Sequence, residues 1–184
     1  MVDYLESILV KRCQNREAEA FAPLMKLYKK QLFSFLIKRT GNREAAEDLF
    51  QEILIKIWRN LPKYQKKEKF GSWIFSIAHN LTVDSFRKKK VRPIISETEE
   101  FEEISGDEDP LEKVEKDEQR ALLNEALLQL SEKQKEVFLL RQHGEMTFKE
   151  IAAFSHQPIN TVLSHMNYAV NKLKKVLGKE NAER

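Results

Sequence analysis

Apolar side chains return every three or four positions in both halves of this chain and nowhere alternate, which commits it to amphipathic helices and argues against a sheet-built core. Ala18, Phe21, Leu24, Met25, Tyr28, Leu32, Phe35 and Leu36 predict one helical face that stops at Gly41, glycine being the usual residue just past a helix end. Asn42 is placed to cap the next helix. Its stripe of Ala45, Ala46, Leu49, Phe50, Ile53, Ile57 and Trp58 runs on to a stop at Pro62. A basic, polar stretch from Lys63 to Lys69 leads to Ser72 as the next expected cap, and Trp73, Ile74, Ile77, Leu81 and Phe86 continue as a third apolar face. These segments read as a helical bundle.

Start signals are stronger in the second half. Asp109-Pro110-Leu111-Glu112 sets a cap, a first-turn proline and an acidic residue in order, opening a helix through Val114, Leu123, Ala126, Leu127 and Leu130. Two capping boxes follow, Ser131-x-x-Gln134 and Thr147-x-x-Glu150, with Gly144 between them as a helix stop. A last helix is expected from Asn160 or Thr161, just after Pro158, with Val162, Met166, Ala169, Leu173 and Leu177 inward. The fold class is therefore all-α.

Charge divides the chain. Residues 1–90 carry a net +9, residues 91–118 a net −9 and residues 119–184 a net +3. The acidic piece, with Pro93, Ser96, Gly106 and Pro110 and a Glu-rich run from Glu97 to Glu103, has too little apolar surface to fold alone and reads as a linker. Two helical domains, 1–90 and 119–184, are thus joined by an acidic linker at 91–118.

Several function classes recede on composition. The longest apolar runs, such as Ile53–Trp58, fall far short of the roughly 20 residues that span a bilayer. No secretory leader follows Met1, so a cytoplasmic protein without membrane insertion is expected. The single cysteine, Cys13, has no internal partner, and the four histidines lack metal-ligand spacing; neither metal nor cofactor is expected. Five glycines form no phosphate-cradling loop and no nucleophile signature is present, so catalysis is the weakest reading. His79 and Asp84 lie five residues apart on one helix and form no dyad.

A short helix near 148–155, a tight connection and a longer capped helix form a helix-turn-helix candidate, its C-terminal position in the fold given by the capping boxes. In that geometry the first turns of the second helix meet base edges, which puts Asn160, Thr161, Ser164, His165 and Asn167 toward a major groove. The run Arg87-Lys88-Lys89-Lys90 suits a helix C-terminus by the helix dipole alone.

Two blocks of residues carry a family resemblance. Ala46-Glu47-Asp48-Leu49-Phe50-Gln51-Glu52-Ile53-Leu54-Ile55-Lys56-Ile57-Trp58, followed by Phe70-x-x-Trp73-Ile74-x-x-Ile77-Ala78-x-Asn80-x-x-x-Asp84-x-x-Arg87-Lys88, resembles the core of the extracytoplasmic-function group of bacterial sigma factors. Leu127-x-x-Leu130, Val137, Leu140, Glu150-Ile151-Ala152 and Thr161-Val162 resemble the second DNA-binding domain of the same family. The resemblance covers about residues 18–90 and 120–177, in order, with a linker between.

This resemblance implies a sigma factor that directs core RNA polymerase to promoter DNA, assists opening of the duplex and is held in check by an anti-sigma factor. It places Asp48, Gln51, Glu52 and Ile55 at the polymerase contact, and their spacing sets all four along one side of a helix. It places Phe70, Trp73, Asn80, Asp84, Arg87 and Lys88 toward the proximal promoter element, with 63–69 as the loop that receives an unstacked base. The distal element falls to the helix beginning at Asn160.

There the chain departs from the family. Where the pattern has three cations, Leu163, His165 and Tyr168 stand, and the turn glycine is replaced by His156. Each lost phosphate contact would flatten the salt dependence of DNA binding. Two other readings stay open on sequence: a helix-turn-helix regulator working without core polymerase, and a sigma-like protein acting mainly through protein contacts.

Overall fold

A computed structural model describes residues 2–65, 69–89 and 121–180, and every regular element among them is a helix. The expected linker at 91–118, the start at Asp109-Pro110 and the side chain of Lys88 lie outside the described residues. In chain order the elements are α1 (Val2–Gln14), a 3-10 turn (Ala18–Ala20), α2 (Phe21–Lys26), α3 (Lys29–Thr40), α4 (Arg43–Asn60), a second 3-10 turn (Leu61–Lys63) and α5 (Phe70–Lys89). They are followed by α6 (121–128), α7 (Glu132–His143), α8 (Phe148–Ser155) and α9 (Ile159–Glu180). Contacts divide the chain into two compact units, 1–98 with 140–146, and 99–139 with 147–184.

In the first unit α3, α4 and α5 pack on one another, while α1 lies against α2 and the turn that follows α4. Leu36, Ile53, Ile57 and Ile74 are fully buried between the three long helices, and Phe35 meets Phe75 edge-on at 5.5 Å. The α3–α4 corner forms as its residues dictate. Gly41 takes the left-handed conformation at φ 64° and Asn42 Oδ1 accepts the Ala45 N–H at 2.8 Å. Pro62 lies in the turn that ends α4.

Three local features differ from the sequence reading. The expected helix through Ala18–Leu36 is interrupted: the N–H groups of Leu27 and Tyr28 bond back three residues, to Leu24 and Met25, and α3 begins afresh at Lys29. The apolar stripe passes through this tightened turn undisturbed, so its spacing does not register the break. A helix that periodicity did not pick out, α1, buries Leu9, Val10 and Cys13. Ser72 is not a cap, since α5 starts two residues earlier and its side chain is buried.

The second unit has its own core of Leu127, Leu130, Val137, Leu139, Ile151 and Val162, with α8 packed on α9. Both capping boxes form. Gln134 N–H donates to Ser131 Oγ at 3.4 Å and Ser131 N–H to Gln134 Oε1 at 3.1 Å. Thr147 N–H donates to Glu150 Oε2 at 2.7 Å and Glu150 N–H to Thr147 Oγ1 at 3.2 Å.

Candidate functional site

Helix α4 has two faces with different occupations. Inward, Leu49, Ile53 and Ile57 are buried, Phe50 meets Phe33 edge-on at 5.8 Å and Trp58 meets Phe21 at 5.2 Å. Outward, Asp48, Gln51, Glu52 and Ile55 are all exposed and fall within about a 100° arc of the helix. Neither Asp48 nor Glu52 makes an ion pair or hydrogen bond among the described residues, whereas Glu47 one position away is paired with Arg43 at 3.0 Å. Ile55 is 53% exposed beside these carboxylates. Unpaired acids around a bare aliphatic side chain suit a partner that brings both cations and apolar surface.

On α5 the expected residues separate into two groups. Asn80, Asp84 and Arg87 are exposed and spaced at four and three residues, so they share one face, and Trp73 lies half-buried on the same line two turns earlier. Phe70 departs from expectation. Its ring is 2% exposed, enclosed by Tyr28 at 5.8 Å, Tyr64 at 5.2 Å and Trp73 at 5.4 Å, so in this structure it packs as part of the core and is not on the exposed face. Gly71 makes room for this cluster, since a Cβ there would meet the Tyr28 ring at 3.2 Å. Tyr64, 5.1 Å from Trp73, is the residue that sequence reasoning missed. Its signal was an aromatic in an otherwise polar, basic stretch.

The turn between α8 and α9 is made by His156, which adopts φ 53° and ψ 39° in place of glycine while its N–H donates to the Ala152 carbonyl. The substitution predicted from sequence is therefore tolerated at the left-handed position, one that costs a side chain about 1–2 kcal/mol. From the three- and four-residue spacings, Asn160, Ser164, Asn167 and Asn171 lie within about 60° of one another on α9, and all four are exposed. Thr161 and His165 are half-buried on the flank of this face. Ser164 Oγ donates to the Asn160 carbonyl at 2.8 Å, so its proton is already committed. Among the described residues no group of His, Cys, Asp or Glu could hold a metal ion, and no helix is long and apolar enough to cross a membrane.

A capped helix-turn-helix in the second unit and an exposed acidic and aliphatic face on α4 of the first are parts from which a DNA-binding transcription subunit can be built. Comparison with known proteins specifies which. Residues 24–92 match the model of Sigma-70 region 2, and residues 120–173 match that of Sigma-70, region 4, together two thirds of the chain. The chain is 28% identical to the ECF RNA polymerase sigma factor SigW of Bacillus subtilis over 181 residues, covering 91% of this chain and 94% of that protein. It is 26% identical over 162 residues to the ECF RNA polymerase sigma factor RpoE of Cereibacter sphaeroides, covering 87% of each. The fold is shared with the sigma factor RpoE of Bartonella quintana, solved with the anti-sigma factor NepR, at TM-score 0.67 and 22% identity over 88% of this chain and 98% of that one.

The chain belongs to the sigma-70 family, in its extracytoplasmic-function group. It is a sigma factor, directing RNA polymerase to promoter DNA at initiation.

Proposed function

We propose that this sigma factor engages core RNA polymerase through Asp48, Gln51, Glu52 and Ile55 on α4, and promoter DNA through two separate helices. The carrying observation is the outward face of α4, where two unpaired carboxylates, an amide and a bare isoleucine stand over a helix whose other face is core. Proximal promoter contact falls to Asn80, Asp84 and Arg87, with Lys88 continuing the α5 line and Trp73 at its head. Phe70 supports Trp73 from behind. Distal contact falls to the first turns of α9, through Asn160, Thr161, Ser164, His165 and Asn167.

The protein supplies recognition, leaves bond-making to the polymerase and works in the cytoplasm. An anti-sigma factor regulates it, a reading supported by the solved complex of the Bartonella relative with NepR. The domains assigned to these tasks are 1–90 and 119–184, with 91–118 linking them.

The test is co-elution of the purified chain with core polymerase. Asp48→Lys with Glu52→Lys should abolish the complex while leaving helicity and thermal unfolding unchanged, because both positions are exposed and unpaired. Undiminished co-elution of the double variant would overturn the assignment.

A further inference from the structure

The part of α9 aimed outward is unlike the rest of the helix in charge. From Asn160 to Asn171 its exposed positions are Asn160, Leu163, Ser164, Asn167, Tyr168 and Asn171, and none is a cation. Lysines begin only beyond it, at the exposed Lys172, Lys174 and Lys175. A helix in a major groove reads guanine chiefly through arginine or lysine on its O6 and N7, adenine through asparagine or glutamine on N6 and N7, and thymine through apolar contact with the C5 methyl. The first of these chemistries is absent from this face and the other two are present.

We infer that α9 selects A·T base pairs in the distal promoter element, Asn160 and Asn167 pairing with adenine edges and Leu163 packing on a thymine methyl. This rests on the placement of α9 at the distal element proposed above. Asn160 and Asn167 stand about 10 Å apart along the helix, roughly three base-pair steps, so they meet different pairs. Leu163 lies between them in sequence and is 36% exposed, which leaves its aliphatic surface free to meet a methyl group. Ser164 Oγ donates to the Asn160 carbonyl of its own helix. It retains acceptor lone pairs, which suit adenine N6 and cytosine N4 alike, so the choice between A·T and G·C rests on Asn160, Asn167 and Leu163. Lys172, Lys174 and Lys175 supply the phosphate contacts that fix register without reading sequence.

The experiment uses holoenzyme assembled from core polymerase and the full chain, with duplex DNA randomised at the distal element. Selected duplexes should be rich in A·T pairs. Replacing the thymines of a selected duplex by uracil, one at a time, removes single methyl groups; one replacement should weaken native binding about fourfold and should have no effect on the Leu163→Ala holoenzyme. Asn167→Ala should lose roughly tenfold in discrimination at one adenine. Selection of guanine across the element, or equal uracil sensitivity in the native and Leu163→Ala proteins, overturns the inference while leaving α9 on DNA. A duplex truncated just downstream of the distal element separates the two claims. Binding unchanged by truncation refutes the placement itself and assigns the Leu163–Tyr168 surface to a protein contact.

Discussion

Trp58 and Phe21 meet edge to face at 5.2 Å on the inward side of α4, and the guanidinium of Arg16 stands 5.9 Å from the same indole. The contact fastens the last turns of α4 to α2, so the outward face is carried by a helix fixed along its length. Stability is thereby assigned to one side of the helix, opposite the face proposed above for polymerase. Ile53→Ala, at a position with no exposure, should cost about 2–5 kcal/mol in urea unfolding, and Trp58→Ala a comparable part of that. Ile55→Ala, two residues along, should leave unfolding within about 0.5 kcal/mol and weaken co-elution with polymerase.

The burial of Phe70 gives a second separation. Phe70→Ala removes a ring enclosed by Tyr28, Tyr64 and Trp73, and should destabilise the first unit by about 3–5 kcal/mol. Asn80→Ala and Arg87→Ala, both exposed, should unfold like the native chain and slow promoter opening, read as permanganate reactivity of unpaired thymines. If Phe70→Ala folds normally and loses only opening, the ring acts on DNA and its burial is not its role.

At the turn before α9, His156 holds a conformation that glycine occupies at lower cost. His156→Gly should raise the stability of the second unit by about 0.5–1 kcal/mol, the relief of left-handed strain being partly offset by the larger entropy of an unfolded glycine. Thermal unfolding decides the sign.

The Thr147–Glu150 box predicts a loss in the opposite direction. Thr147→Ala leaves the Glu150 N–H without its cap and should destabilise α8 by about 1 kcal/mol. Distal DNA binding should fall with it, since α8 is the support on which α9 packs. Thr147→Ser, which keeps the hydroxyl, should restore both.

How much of this was legible beforehand depended on whether the cause was local. Gly41 with Asn42, Ser131 with Gln134 and Thr147 with Glu150 all act within four residues, and the structure forms each as the sequence reads. The left-handed turn at His156 was legible from the family resemblance, in which a glycine stands at that position. The interruption at Leu27–Tyr28 was not, because three-residue bonds replace four-residue ones without moving the apolar stripe off its face. Nor was the fate of Phe70, whose neighbours Tyr28 and Tyr64 arrive from other segments. On α4 and α5, spacing gathered Asp48, Gln51, Glu52 and Ile55, and Asn80, Asp84 and Arg87, onto exposed faces. It could not tell that Ser164 donates to a carbonyl of its own helix.

Cys13 is the only cysteine of the chain, 1% exposed on the inner side of α1, and burial pushes its thiol above the ordinary range. An acid whose folded pKa is raised stabilises the fold below its unfolded pKa and loses that contribution as pH climbs through the folded value, so alkaline conditions should loosen α1 first. The same burial turns the thiol into a built-in clock. A disulfide reagent can react only when α1 lifts away, so the labelling rate reads the opening of that helix, with no dye or tag added. Followed in the free chain and again in holoenzyme, that rate reports whether assembly with polymerase also tightens α1.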